Sequence, residues 1–487
     1  MLIADLMAQS GVGFGTSGAR GRVADMTPPV CYAYTRGFLQ HLEQAHGLKP
    51  GGEVVLGGDL RPSTPGIMAA VAAGCRDAGY APVNAGFIPS PAVALAGLAG
   101  GTPSIMVTGS HIPDDRNGIK FNRADGEVLK SDEAGIRAQD VAVPDTVPGL
   151  ESALPAVEPR PAEDYLSRFV DFFGENTLKD MKIAVYEHSG VGRDLLSGLL
   201  ERLGAEVIRL ARSETFIPVD TEAIRPEDVE LAAGWAGEFQ PDAIVSTDGD
   251  ADRPLVSDEQ GQWLRGDVAG VLCARFLGID RLATPVSSNS LVEKCGSFKE
   301  TTRSRIGSPF VIEAMQALAE QGGSVAGYEA NGGFLLQTPV SREGRTLAPL
   351  PTRDAFIVIL SILAQARAAG QPVSQLVADL PPRFTASDRL KAFPTERSRE
   401  LIAKLAEPAR TGNFGTIEAA FGELCGPVGA VDTTDGLRIT FANQEIVHLR
   451  PSGNAPEFRC YNEADSRARV DALNLACMEV LAGWREG

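Results

Sequence analysis

Two distant stretches of the chain run through the same order of apolar and polar residues, and that recurrence limits the fold more than any other feature. Glu53-Val54-Val55-Leu56-Gly57 reads as a strand, 65–78 as a helix and Ala81-Pro82-Val83 as a strand. Lys182–Tyr186, a helical run over 190–203 and a strand over 204–208 repeat that order, a weak internal repeat at the level of fold. A helix near 91–98 leads into the apolar run Ser104–Val107, and a third round follows with helix 266–278, strand 281–286, helix 309–320 and strand 324–328. Alternating strands and helices predict an α/β protein of three related doubly wound α/β domains. From about 372 to 487 the pattern changes. Strands at Leu437–Phe441, 445–449 and 457–461, with a closing helix near 465–483, predict a smaller C-terminal antiparallel α+β domain. The Pro-, Ala- and Glu-rich stretch 141–163 reads as a linker. The expected domains are 1–155, 156–258, 259–371 and 372–487, in keeping with a length of 487 residues.

Composition narrows the function classes. A net charge of −18 argues against coating nucleic acid or lying on an anionic membrane, while leaving room for a local basic pocket. Seven scattered cysteines without a Cys-x-x-Cys pair predict reduced thiols and no zinc site. The opening Met1-Leu2-Ile3-Ala4-Asp5 lacks the form of a secretory leader, and no apolar run is long enough to span a bilayer, so a cytoplasmic protein is expected.

The strand ends carry the chemistry-bearing residues, as α/β scaffolds favour. Between Ser104–Val107 and the apolar run Ile119-Lys120-Phe121 lies Thr108-Gly109-Ser110-His111-Ile112-Pro113, in which Ser110 is the candidate reactive hydroxyl. On this stretch alone an ordinary turn serine is the plain alternative. A Ser-His-Asp hydrolase suits it poorly: there is no Gly-x-Ser-x-Gly elbow, and adjacent side chains of an extended segment are expected to point opposite ways. Earlier, Gly15-Thr16-Ser17-Gly18-Ala19-Arg20-Gly21 reads as a flexible turn whose one cation, Arg20, could close over an anion.

The strand Ala243–Thr247 runs into Asp248-Gly249-Asp250-Ala251-Asp252-Arg253, and three alternating carboxylates can converge oxygen ligands on a hard divalent cation, with a solvated acidic turn as the plain alternative. An EF-hand is the rival, with Glu259 at its twelfth position, but Arg253 stands where that loop requires glycine. Glu329-Ala330-Asn331-Gly332-Gly333 offers a carboxylate and an amide among glycines, suited to sugar hydroxyls or to a plain loop. Arg450-Pro451-Ser452-Gly453-Asn454, with Arg459 beyond it, can present guanidinium forks, a hydroxyl and backbone N–H groups to one phosphate, or can be a structural turn.

With these four loops the sequence resembles the α-D-phosphohexomutase family, over essentially the whole chain and with the motifs in the family's order. Residues 108–113 look like the phosphoserine loop, 248–253 like the magnesium loop and 450–454 like the phosphate loop. The resemblance implies four domains around a central cleft. It implies that Ser110 holds the transferable phosphoryl group and that Asp248, Asp250 and Asp252 bind Mg²⁺ with an oxygen on Ser110. Arg20, Lys120 and Arg253 then support transfer, with His111 and Lys120 as general acid/base candidates. Arg305 and Ser308 fall at a substrate loop, Glu329, Asn331 and Gly333 at a sugar loop, and Arg450, Ser452, Gly453, Asn454 and Arg459 at the phosphate loop. Asn331 and Gly333 replace the usual Ser and His; Gly333 is expected to leave room and one fewer fixed contact, and Asn331, with an acceptor and donors, to compensate in part.

The implied reaction interconverts hexose 6-phosphate and hexose 1-phosphate through phosphoserine, with hexose 1,6-bisphosphate as intermediate and activator. Mannose is the expected sugar and glucose the second, in a monomer or homodimer whose partners are small sugar phosphates, without nucleic acid or membrane. The run Glu-Ala-Asn-Gly keeps an N-acetylglucosamine- or glucosamine-phosphate mutase as the alternative. A sugar phosphatase using Asp248 and Asp250 ranks low because Asp252 stands where such enzymes carry Thr or Val. A non-catalytic sugar-phosphate-binding protein ranks low because Ser110, the three aspartates and Lys120 are all intact.

Overall fold

The computed structural model describes residues 1–15, 18–152, 154–452 and 456–486. The chain divides into two compact units, Met1–Leu282 with Gly307–Val377, and Ala283–Ile306 with Ala378–Gly487. Among the described residues no helix is long and apolar enough to cross a membrane.

In the first unit, strand Glu53–Gly58 pairs in parallel with both Ala81–Phe87 and Ser104–Val107. It is buried along nearly its whole length, and helices Pro28–Ala45 and Thr64–Asp77 supply Phe38, Leu39, Met68 and Val71 to the same core. Such continuous apolar runs are what a parallel strand covered on both faces requires. After Val107 the chain returns antiparallel as Arg116–Arg123, with Val107 opposite Ile119. Gly18–Arg22 then pairs on the far side, Gly18 opposite Lys120 and Arg20 opposite Gly118. The flexible turn expected around Arg20 is therefore a strand from Gly18 onward. Its weak strand propensity is overridden by pairing with a buried neighbour; Thr16 and Ser17 lie outside the described residues.

The second sheet sets Lys182–Tyr186 between two parallel neighbours, Glu206–Leu210 and Ala243–Thr247, with Pro254–Val256 antiparallel outside. The helix expected from 190 starts at Arg193, and the strand expected at 204–208 runs over Glu206–Leu210 because Gly204, at φ 94°, makes the turn between them. The expected linker gives way to helix Arg160–Phe173, begun by Pro161 in its first turn.

In the third sheet Val325–Tyr328 turns directly into Phe334–Leu336, Tyr328 opposite Phe334, and Leu350–Asp354 pairs beyond it. Asp354 ends that last strand and caps helix Ala355–Ala369 by accepting from the backbone N–H groups of Phe356 and Ile357. Phe356, Ile357, Ile359, Leu360 and Leu363 of that helix are all buried, each contributing about 1.5–3 kcal/mol.

One arrangement recurs in all three α/β domains: a strand ends, a polar loop follows, and an antiparallel strand returns beside it. Val107 leads to Arg116, Thr247 to Pro254 and Tyr328 to Phe334. The loops 108–115, 248–253 and 329–333 are thus topological equivalents.

The second unit holds the smaller α+β domain. Its antiparallel sheet runs in the order Phe384–Lys391, Glu457–Ala464, Ile446–Pro451, Leu437–Phe441, Val428–Asp432. Helices Thr395–Ala409, Gly415–Cys425 and Arg467–Glu486 close a core around Phe421, Phe441, Phe458 and Leu481.

Candidate active site

Ser110 stands at φ 55°, in the left-handed region that non-glycine residues seldom occupy. Arg61, just beyond strand Glu53–Gly58, holds it there. This fully buried guanidinium donates to the carbonyls of Ser110 (2.8 Å), Ile112 (2.6 Å), Pro113 (2.7 Å) and Arg116 (3.0 Å), and to Asp59 Oδ2 (3.0 Å). Every N–H of the fork is thereby used, and the Phe216 ring lies 4.0 Å from Cζ. Asp59 completes the support by accepting from the Thr108 hydroxyl (2.7 Å) and the Gly109 N–H (3.3 Å). The turned backbone also corrects the expectation that Ser110 and His111 point apart. Ser110 Oγ and His111 Nδ1 are 3.3 Å from one another, since alternation of side chains holds only in extended chain.

Ser110 Oγ donates to Asp248 Oδ2 at 2.6 Å. Asp248, Asp250 and Asp252 are fully or almost fully buried, and each brings a carboxylate oxygen within 4.8 Å of the others. Asp248 Oδ1 accepts from the backbone N–H groups of Asp252 and Arg253, both at 3.2 Å, whereas the hydrogen bonds of the other two are one-sided. Asp250 Oδ2 accepts from Lys120 Nζ (2.5 Å) and Ser90 Oγ (2.6 Å), while Asp252 Oδ2 accepts from Lys120 Nζ (2.7 Å) and Arg353 Nε (3.0 Å). Oδ1 of Asp250 and Oδ1 of Asp252 have no hydrogen-bond partner although buried. Two orphaned carboxylate oxygens beside a third carboxylate fit a hard, oxygen-seeking divalent cation.

The charges divide the labour. Burial, with Asp250 and Asp252 close by, pushes Asp248 well above its ordinary value. Burial also works against the Lys120 ammonium, but Asp250 and Asp252 outweigh it and keep Lys120 protonated. Burial and then the Arg253 guanidinium bring His111 down to about 4, so its imidazole is neutral at pH 7. Arg253 Nη1 donates to His111 Nδ1 at 2.9 Å, and arginine cannot accept, so Nδ1 is the unprotonated nitrogen. Arg20 is lowered to about 10 by burial and Arg253, and stays charged. Ser110, His111, Lys120, Arg20 and Arg253 line one cavity of about 100 Å³.

In the loop 329–333, Glu329 Oε2 accepts from Arg353 Nη1 (2.9 Å). Asn331 Oδ1 accepts from the Gly333 N–H (2.9 Å), and its carbonyl accepts from the Thr221 hydroxyl (2.8 Å). Gly333 does not leave room: a β-carbon there would stand 2.6 Å from Cδ and 2.7 Å from Cγ of Arg353. The space a larger residue would take is filled by an arginine from the neighbouring strand. Ser308 is buried and donates to Glu127 Oε2 (2.9 Å).

Within the second unit Arg305 is exposed, Arg450 Nε donates to Asp435 Oδ1 (2.9 Å), and Arg459 Nη2 approaches Glu457 Oε2 (3.4 Å). Ser452 is buried, its N–H donating to the Glu457 carbonyl (2.9 Å). Gly453 and Asn454 lie outside the described residues.

Sequence reasoning missed Asp59, Arg61, Ser90, Arg353 and His188. His188 Nε2 donates to the Thr247 carbonyl (2.9 Å), directly before Asp248. Asp59 and Arg61 follow a strand end, the signal that singled out the other loops, and Asp354 beside Arg353 is a helix-cap residue before an apolar run.

Residues 11–140, 163–261 and 265–384 match the family models for phosphoglucomutase/phosphomannomutase alpha/beta/alpha domains I, II and III. The chain belongs to the phosphoglucomutase/phosphomannomutase family. It is 44% identical to a phosphomannomutase of Salmonella muenchen, covering 97% of this chain and 95% of that one. It is 43% identical to a phosphomannomutase of Sinorhizobium fredii, covering 96% and 98%. Its fold matches the crystal structure of a phosphoglucomutase/phosphomannomutase family protein from Burkholderia thailandensis with a TM-score of 0.73, at 20% identity and 97% coverage of both chains.

Proposed function

We propose that this chain is a phosphomannomutase, an isomerase that interconverts hexose 6-phosphate and hexose 1-phosphate through phosphorylated Ser110, preferring mannose and accepting glucose. The observation that carries the reading is the Ser110 hydroxyl bonded to Asp248 inside a buried three-carboxylate cluster with two orphaned oxygens. The identity to two phosphomannomutases supports the choice of sugar.

Mg²⁺ held by Asp248, Asp250, Asp252 and a phosphoseryl oxygen would supply charge neutralisation at the moving phosphoryl group. A phosphoserine carries close to two negative charges at pH 7, so it and a dication enter a site already furnished with both signs without upsetting its balance. In the transfer, the bond from phosphorus to Ser110 Oγ breaks as one to a sugar hydroxyl oxygen forms. His111, neutral, accepts the hydroxyl's proton at Nδ1 as Arg253 turns from that nitrogen to the phosphoryl group, and Lys120, held protonated, gives one to the departing Ser110 Oγ; Arg20 and Arg253 balance the phosphoryl charge. The hexose 1,6-bisphosphate so formed turns over and gives its other phosphoryl group back to Ser110. Glu329 and Asn331 recognise ring hydroxyls; Ser308 and Gly333 are further substrate-binding positions, and so is Arg305. Arg450, Ser452, Gly453, Asn454 and Arg459 bind the phosphate that is not reacting. Domain limits at 155, 258 and 371, a cytoplasmic location and a monomer or homodimer complete the proposal.

The test compares kcat/KM for mannose, glucose and N-acetylglucosamine 1-phosphates while monitoring free phosphate. Mannose is expected to lead, with glucose within roughly 10- to 200-fold, because no buried polar group is stranded by the wrong epimer. A hundredfold advantage for the acetylated sugar would assign the chain to the other branch, and stoichiometric release of phosphate would make it a phosphatase.

A further inference from the structure

We propose that Arg353 is a positioning residue that couples the cation site at Asp252 to the sugar site at Glu329, so that each ligand strengthens binding of the other. The inference rests on the reading of those two loops given above. Arg353 lies on strand Leu350–Asp354, one residue before the cap of helix Ala355–Ala369, and so on a rigid element. Its Nε and Nη2 meet Asp252 Oδ2 at 3.0 and 2.9 Å, and its Nη1 meets Glu329 Oε2 at 2.9 Å. The side chains of Arg353, Asp252 and Glu329 are 5%, 3% and 7% exposed, so water does little to loosen the chain of contacts.

A guanidinium is planar and stiff, and the direction it takes toward one carboxylate fixes its direction toward the other. At Asp252 the fork and Lys120 both occupy Oδ2, which leaves Oδ1 without a hydrogen bond, Arg253 Nε standing 3.7 Å away, and available as a cation ligand. At Glu329 the same fork occupies Oε2, which settles which carboxylate oxygen can meet a sugar hydroxyl. The aliphatic stem of Arg353 lies against the backbone of Gly333, so the sugar loop is moulded around this one side chain. A cation that locks Asp252 therefore locks the fork, and the fork locks Glu329 before sugar arrives. Sugar then binds with less ordering cost. Linkage makes the effect reciprocal.

The experiment measures binding of mannose 1-phosphate by calorimetry with and without saturating Mg²⁺, in a Ser110→Ala background so that no turnover intervenes. Inorganic phosphate, which has no ring hydroxyl for Glu329, serves as the control for direct attraction between phosphate and metal. The expected result is that Mg²⁺ tightens mannose 1-phosphate beyond the phosphate control by a factor within the roughly 5- to 150-fold range of site-to-site coupling. Arg353→Met is expected to bring that ratio down to the control value. Since Arg353→Met leaves two buried carboxylates facing an apolar stem, Glu329→Gln is the second variant, keeping shape while breaking the other end of the link, and the same loss of ratio is expected; thermal melting verifies that each is folded. An unchanged ratio in either folded variant overturns the coupling alone. Absence of any mannose 1-phosphate binding in the Ser110→Ala parent overturns the functional reading, and the coupling with it.

Discussion

A β-carbon on Gly109 would stand 2.5 Å from Cζ of Arg61. The loop carrying Ser110 is thus wrapped around a guanidinium, not merely strung between two strands, and its shape depends on that one buried side chain.

Arg61→Met should therefore act on both stability and chemistry. It leaves Asp59 buried without its counter-ion, a loss of about 3–5 kcal/mol by denaturant unfolding. Arg61→Lys keeps the charge but not the fork. It should fold and bind sugar phosphate with KM little changed while kcat falls, and an unaltered kcat would show that the loop holds its shape unaided.

The proposed mechanism has Ser110 carry the phosphoryl group, so intact-mass and peptide analysis of the purified protein should find a phosphorylated fraction at this residue. Ser110→Ala should fold normally, lose that mass and lose turnover by several orders of magnitude. An active Ser110→Ala protein would remove the nucleophile from the scheme.

For the cation site, Asp248→Asn, Asp250→Asn and Asp252→Asn should each raise the Mg²⁺ concentration needed for half-maximal rate. The rise should exceed the roughly 10- to 100-fold that supporting residues cost, because each change removes a hard anionic ligand. Full activity in excess chelator is the contrary result.

His188 gives a pH signature in stability. Burial lowers its imidazole from 6.5 to about 4, so the fold favours the neutral ring. The unfolded chain binds the proton more readily, and the contribution is complete above pH 6.5 and is lost as pH falls toward about 4. The advantage of the parent protein over His188→Gln in thermal melts should shrink across that window. A difference independent of pH from 7 to 4 would mean that the ring is not held neutral.

Much of this was legible in the sequence, for reasons that also explain what was not. Strands Ser104–Val107, Lys182–Tyr186 and Ala243–Thr247 could be read because parallel strands buried on both faces leave unbroken apolar runs. The loops after Val107 and Thr247 could be read because reactive groups gather at strand ends, whereas the loop after Tyr186, which carries His188, was not. The returning strands Pro254–Val256 and Phe334–Leu336 are too short to show a period. Arg61 and Arg353 look like surface cations in Leu60-Arg61-Pro62 and Thr352-Arg353-Asp354, and their burial is decided by carbonyls and carboxylates far away in the chain. Gly333 was misjudged for a related reason: a missing side chain in sequence does not distinguish an open space from one that a neighbour has already filled.

The way the chain is shared between the two units bears on how it is made. A ribosome delivers Ala283–Ile306 before the return segment Gly307–Val377, and both before Ala378. The earlier segment belongs with residues that do not yet exist, and the first unit is left open until its own return segment emerges. Each unit is therefore completed only by a segment made after the other has begun, so for part of its birth the polypeptide exposes apolar surface from two half-closed cores, the condition in which nascent proteins are prone to aggregate.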